Sequence, residues 1–288
     1  MRIKSFAKVN LGIEILRKRS DGYHEIRTLF QTIDFYDEIN FRKVPSKKLS
    51  LFGDDDSVPW DKSNLIYKAA ELMQGAIPYA TGVEVTIKKR IPPGKGLGGG
   101  SSNAAVTLLA LNQLWEGHMQ IPEIMIQAKK IGADVPYFLE GGLCLGTGRG
   151  DEITELDEIP EFTCLLVLPD FPVSTAFIYN QYRFPLTSDP KESKIIRFLN
   201  RRKFNILENG LEETVFKLYP QLKTIKNNIR SLGAEMSLVS GTGSAVFGLF
   251  QYKQDAEEAR EKLQQDYVTH LAQTVSRKKY MEDVFAGV

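Results

Sequence analysis

The segment Pro92-Pro93-Gly94-Lys95-Gly96-Leu97-Gly98-Gly99-Gly100-Ser101-Ser102-Asn103-Ala104-Ala105 constrains this chain more than any other stretch. An alternating run, Val83, Val85 and Ile87, precedes it, and a largely apolar run from Ser101 to Trp115 follows. The implied order is strand, glycine loop and buried helix. Five glycines in the seven residues from Gly94 to Gly100 let the backbone approach a ligand closely. Consecutive N–H groups leading into the positive end of a helix suit phosphate, although a surface loop with a serine helix cap fits the same residues. Gly94, Gly96 and Gly99 satisfy GxGxxG, but Glu116 follows the helix directly, where a dinucleotide fold interposes a second strand before its ribose-binding acid. No Gly-Lys-Ser/Thr closes the loop, so it is not a P-loop either. A third kind of nucleotide loop is required.

The chain has 288 residues, enough for two domains, with 37 Lys and Arg against 36 Asp and Glu. The resulting +1 charge argues against a global grip on nucleic acid or an anionic membrane. Cys144 and Cys164 cannot make a disulfide framework, and His24, His118 and His270 are too dispersed for a zinc site. Lys8, Asn10 and Glu14 break up the amino-terminal stretch, which excludes a signal peptide, and Gly96–Trp115 is too polar at its start to span a membrane. A soluble cytoplasmic protein with reduced cysteines is expected.

Residues 3 to 15 alternate, with Ile3, Ala7, Val9, Leu11, Ile13 and Ile15 on one face and Lys4, Lys8, Asn10 and Glu14 on the other. This predicts a half-buried strand with Lys8 and Asn10 side by side, about 7 Å apart. A second strand is expected from Glu25 toward Ile33, and helices over Asn64–Gln74 and Pro122–Ile131. Past a glycine-rich stretch around Gly146-Thr147-Gly148-Arg149-Gly150, a boundary near Glu155 to Pro160 divides the chain into domains 1–155 and 156–288. The second half reads as a strand (Thr163–Leu168), helices (Ser193–Leu199 and Leu211–Leu232), a hairpin (Met236–Val239 with Ala245–Phe250), a charged helix (Asp255–Gln265) and a late strand. An α+β chain whose second domain is a split βαβ sheet accommodates that order.

The glycine segment resembles the phosphate loop of the GHMP kinase superfamily, and its expanded Gly-Leu-Gly-Gly-Gly-Ser-Ser-Asn-Ala-Ala form resembles the branch acting on diphosphocytidyl methylerythritol. Ala7-Lys8-Val9-Asn10-Leu11, Arg19-Ser20-Asp21-Gly22-Tyr23-His24, Gly132-Ala133-Asp134-Val135-Pro136 and Ser240-Gly241-Thr242-Gly243-Ser244 agree in the expected order, over roughly residues 1 to 252. The resemblance implies a two-domain GHMP kinase fold, with an S5-like nucleotide domain and a ferredoxin-like second domain. It also implies MgATP and diphosphocytidyl methylerythritol as ligands, in the non-mevalonate isoprenoid route, for a monomer or homodimer. Tyr23-His24 disfavours homoserine and mevalonate kinases. A noncatalytic nucleotide sensor of the same fold has no need of the Lys8 and Asp134 pair.

On pattern alone Lys8 reads as a solvated lysine, Asp134 as a helix cap, and Tyr23 and His24 as a half-buried ring beside a surface imidazole. The resemblance gives them roles. Asp134 would orient the acceptor alcohol and take its proton, and Lys8 would position Asp134. Asn10 would bond the polyol, Tyr23 and Tyr179 would cover the two faces of cytosine, and His24 would read its edge. Thr175 would lie near the substrate, and Gly241, Thr242 and Gly243 beside its diphosphate. Asn64 would sit near adenine, with Pro93, Gly94, Lys95, Gly96, Leu97, Gly98, Gly99, Gly100, Ser101, Ser102 and Asn103 around the ATP phosphates. Two departures stand out. Lys95 occupies a position where the family often has a small residue, and it either touches phosphate or faces solvent. Asn209-Gly210-Leu211-Glu212 lacks the aspartate of the Asn-Asp-Leu-Glu stretch it resembles, and receives no role. No acidic magnesium ligand is identifiable.

Overall fold

The computed structural model describes residues 1–183 and 193–285. Its first sheet is built on two long antiparallel strands, β1 (Arg2–Lys18) and β2 (His24–Val44), whose register slips at three bulges, one of them between Asn10 and Gly12. Bulges of this kind bend and coil a long pair, which lets β2 exchange partners along its length. With β3 (Leu49–Gly53), β4 (Gly82–Lys88), β5 (Leu143–Thr147) and β6 (Glu152–Glu155), the sheet runs β3-β4-β2-β5-β6, and β1 pairs with β2 off that path. Helices α1 (Leu65–Ala76), α2 (Gly99–Leu114), α3 (Ile121–Ile131) and the single turn α4 (Tyr137–Glu140) belong to this half. Every residue of α2 from Ser102 to Leu111 is buried, as expected of a helix apolar on all sides.

The second sheet is antiparallel throughout and runs β10-β7-β9-β8, with β7 (Thr163–Leu168), β8 (Met236–Val239), β9 (Val246–Phe250) and β10 (Val268–Gln273). This is the split βαβ order expected from the sequence. Its connections hold α5 (Thr175–Gln181), α6 (Lys194–Arg201), α7 (Glu212–Leu218), α8 (Pro220–Ser231) and α9 (Lys253–Leu263). The single helix expected over Leu211–Leu232 is two. Pro220 opens α8, because its ring lacks an N–H and clashes with the preceding turn of any helix that tries to continue through it.

β1 departs from the expected half-buried strand, since every residue from Ser5 to Ile15 is buried. Ala7, Val9 and Leu11 enter a core shared with Leu166 and Phe247 of the second sheet. The opposite face is closed by the glycine segment, where the Lys8 N–H donates to Leu97 O at 3.0 Å. Glu14 is buried because α6 starts on it: the Ile195 N–H and the Ser193 hydroxyl donate to its carboxylate, and Arg27 pairs with it at 2.8 Å. The last helix, α10 (Arg277–Phe285), returns to the first sheet, where Tyr280 is buried beside Phe6 and its hydroxyl donates to Phe138 O at 2.5 Å. Among the described residues no helix is long and apolar enough to cross a membrane.

Candidate active site

A cavity of about 840 Å³ lies where the glycine segment meets both sheets. Gly94, Gly96 and Gly98 have φ of +68°, +75° and +72°, in the region that side chains disfavour. A Cβ on Gly96 would also stand 2.0 Å from Ser240 O, and one on Gly98 would stand 2.8 Å from the Phe138 ring. Gly98 caps α2, so the helix begins at Gly99, ahead of the serines that the sequence put at its start. Its first turn closes when the Ser102 N–H donates to Gly98 O at 2.9 Å. The N–H groups of Gly99, Gly100 and Ser101 therefore have no helical acceptor, and these residues line the cavity. An anion placed there meets unsatisfied donors and the positive helix end.

Sequence reasoning missed what fixes this loop. Asp37 on β2 is fully buried and accepts from the backbone N–H groups of Arg90 and Ile91, at 2.7 and 2.8 Å, and from Asn103 Nδ2 at 2.9 Å. Its ion-pair partner is Lys89 Nζ at 2.5 Å. One carboxylate thus ties the entry of the loop to α2. A buried aspartate inside a 21-residue strand gives no local pattern to read.

Lys8 Nζ lies 3.4 Å from Asp134 Oδ2, donates to Asn10 Oδ1 at 2.5 Å and Gly96 O at 3.0 Å, and sits 5.6 Å from the centre of the Phe30 ring. The lysine side chain is 4% exposed and that of Asp134 is 35% exposed, so the carboxylate presents its open side to the cavity. Asn10 Nδ2 in turn donates to Thr28 Oγ1 at 2.9 Å. Both polar atoms of Asn10 have protein partners, and its immediate structural task is to hold Lys8.

Tyr23, His24, Thr175, Tyr179, Gly241 and Thr242 all line the same cavity. The rings of His24 and Tyr179 are 5.4 Å apart at 32°, and the half-buried His24 is held below the ordinary imidazole range by burial and then by the Lys18 charge. Burial, reinforced by the Asp134 carboxylate, raises the Tyr179 hydroxyl above its usual range. Tyr23 is 55% exposed, with the Arg149 guanidinium 5.0 Å over its ring and pinned by Asp151 at 2.6 Å. Arg149 stood out in the sequence only through the glycines around it. Thr175 and Thr242 share a hydroxyl contact of 3.1 Å across the cavity wall.

Several expected contacts lie elsewhere. Ser102 is fully buried behind the loop, paired with the Ser5 hydroxyl at 2.8 Å, because a helix starting at Gly99 turns its side chain inward. Asn103 reaches the cavity, but its amide nitrogen is bound to Ser5 and Asp37. Gly243 lies behind the hairpin tip, where a Cβ would meet Val239 at 3.1 Å. Lys95 neither faces solvent nor aims at the phosphate site: its ammonium donates to Pro169 O and Phe171 O. The stretch without an assigned role supports the hairpin, since Asn209 Nδ2 donates to Val239 O at 3.0 Å and Gly241 O at 2.6 Å. Asn64 caps α1, and Trp60, which the sequence did not single out, lines the cavity beside it.

Comparison with known proteins gives the family. Residues 64–142 match the GHMP kinases N terminal domain and residues 190–269 the GHMP kinases C terminal domain. The fold is that of a GHMP kinase, an ATP-dependent kinase of small molecules. A 4-diphosphocytidyl-2-C-methyl-D-erythritol kinase of Chlorobium limicola is 42% identical, over 89% of this chain and 91% of its own. Its counterpart in Thermodesulfovibrio yellowstonii is 38% identical over 94% and 97%. The crystal structure of a 4-(cytidine 5'-diphospho)-2C-methyl-D-erythritol kinase superposes with a TM-score of 0.81 at 35% identity, over 95% of this chain and 99% of that one. This chain belongs to the 4-diphosphocytidyl-2-C-methyl-D-erythritol kinase family.

Proposed function

We propose that the cleft transfers the γ-phosphoryl group of MgATP directly to the 2-hydroxyl of 4-(cytidine 5'-diphospho)-2-C-methyl-D-erythritol, giving the 2-phosphate and ADP. The observation that carries this reading is the Lys8 and Asp134 pair at 3.4 Å, opening on the same cavity as the free first turn of α2. Asp134 orients the acceptor hydroxyl and takes its proton, and Lys8 positions Asp134. The transition state of phosphoryl transfer is loose, so alignment by this pair weighs more than the basicity of the carboxylate. The N–H groups of Gly99, Gly100 and Ser101 bind the phosphates, with adenine toward Asn64. Among the described residues no three acidic, histidine or cysteine side chains converge on a metal. A magnesium ion would enter with ATP, the Ser101 hydroxyl at the start of α2 would be a protein donor to it, and the ion would supply charge neutralisation on the phosphates.

Cytosine stacks on Tyr23, His24 reads its edge as a neutral imidazole, and Tyr179 covers the other side. Thr175 and the Gly241-Thr242 hairpin flank the diphosphate, while Asn10 Oδ1 keeps a second lone pair for the polyol. Residues 1–155 supply the nucleotide half of this site and residues 156–288 much of the substrate half, in a protein we assign to the cytoplasm. The test is ADP release with diphosphocytidyl methylerythritol beside homoserine and mevalonate, with the phosphorylated carbon identified by phosphorus NMR. Turnover of the first alone, phosphorylated at the 2-hydroxyl, is expected. Preferential turnover of either other alcohol, or none of the three, overturns the reading.

A further inference from the structure

Lys95 sits in the middle of the glycine loop and contributes to the cavity lining, yet it is 8% exposed and its ammonium is bonded to the second half of the molecule. Its ammonium donates to Pro169 O and, at 2.8 Å, to Phe171 O. Phe171 O also accepts from the Ser244 hydroxyl at 2.5 Å, and the Ala245 N–H donates to Lys95 O at 3.1 Å. Two residues past Phe171, the Val173 N–H donates to Gly94 O at 3.0 Å. The segment 169–173 is therefore bound to the loop at both ends, and it leads without a break into α5, which opens at Thr175 and carries Tyr179. Burial of the ammonium opposes its charge, and the nearby Asp170 supports it.

Resting on the functional reading above, we propose that Lys95 is a positioning residue for the cytidyl substrate: from within the ATP loop, it sets the position of the α5 residues that meet that substrate. The argument is geometric. Two of the three N–H donors of the ammonium are engaged by carbonyls of the second half, which directs the side chain toward the segment leading into α5. A charge-assisted hydrogen bond is stronger than a neutral one, and an ammonium with three donors serves both carbonyls at once. Truncating Lys95 thus frees the entry to α5 while Gly98 and Gly99 still start α2 in place.

The test compares wild-type protein with Lys95→Met and Lys95→Arg. Amide hydrogen exchange over residues 170–181 is expected to quicken in Lys95→Met, with exchange over 99–105 unchanged, and this readout requires no turnover. The KM for diphosphocytidyl methylerythritol should rise roughly tenfold, the scale of one lost charge-assisted bond, while the Kd of a nonhydrolysable ATP analogue shifts less than about twofold. Lys95→Arg should recover most of the loss. Unchanged exchange over 170–181, or a fall in analogue affinity matching the rise in KM, overturns the proposal. Should Lys95→Met not fold, Lys95→Gln reads the same split at smaller amplitude. Failure of wild-type protein to phosphorylate the substrate would reject the functional reading, and the exchange result would still decide the role of Lys95.

Discussion

On the functional reading proposed above, the two halves of the cleft solve the problem of holding an anionic ligand differently. The ATP half is made of backbone: left-handed glycines, a helix start without a side-chain cap, and a buried carboxylate that fixes the loop from behind. The cations beside it are engaged within the protein, Lys89 with Asp37, Lys95 with carbonyls and Lys8 with Asp134 and Gly96 O. The substrate half is made of side chains drawn from β1, β2, α5 and the hairpin between β8 and β9, several of them aromatic. A backbone site fixes where a phosphate goes and is indifferent to what carries it. A side-chain site selects the carrier. A site that holds anions with N–H groups does not require an excess of lysines and arginines, and the net charge of the chain is +1.

The sharpest way to break this comparison is Asp134→Asn, which on the proposed mechanism acts on the reacting hydroxyl and on neither binding half. It should lower kcat by roughly 10² to 10⁴ and leave ATP analogue binding intact. Steady-state ADP release beside equilibrium binding measures both, and near-normal turnover would remove Asp134 as the base. Next in size is Asp37→Ala. It strips a counter-charge and three further donors' acceptor from a site where Lys89 is 6% exposed. The expected cost is about 3–5 kcal/mol in urea unfolding, the range for breaking one side of a buried pair. A change within experimental error would show that the backbone half stands without its buried anchor.

How far each half could be read from sequence follows from the same contrast. Five glycines in seven residues between a strand and an apolar helix point to a loop whose backbone comes close to its surroundings, a pattern that suits phosphate and is legible locally. The alternation of β1 placed Lys8 and Asn10 on one face, and the two side chains do touch. Burial of that face was not legible, since it comes from the glycine segment folding over Lys8. Asp37, Lys95 and Asn209 were opaque for a related reason: each acts through contacts more than 25 residues away in sequence, and no local pattern encodes the partner. Tyr23, His24 and Tyr179 became meaningful only through resemblance, because a lone aromatic pair has no period. Arg149 was overlooked because its glycine neighbours signal a turn and nothing about a ring.

The side-chain half is tested by His24→Ala, with a smaller expected effect. KM for the cytidyl substrate should rise roughly 10- to 100-fold and discrimination against the uridyl analogue should shrink, while ATP analogue affinity is unchanged. Retained preference for cytidine over uridine would remove His24 as the reader of the base.

The smallest effect is that of pH on wild-type protein. Burial and Lys18 hold His24 below its ordinary value of 6.5, so the folded state takes up a proton less readily than the unfolded chain does. The sign follows: the stability this contributes is present above the unfolded value and declines as pH falls below it. Substrate KM should accordingly stay flat as pH drops through the ordinary imidazole range and rise only beneath it, where the ring becomes a cation unable to accept a hydrogen bond from cytosine. His24→Ala should show no such rise. If KM instead climbs at the ordinary imidazole value and does so equally in the variant, the titrating group lies outside the side-chain half, and the division between a backbone site and a selecting site loses its clearest reporter.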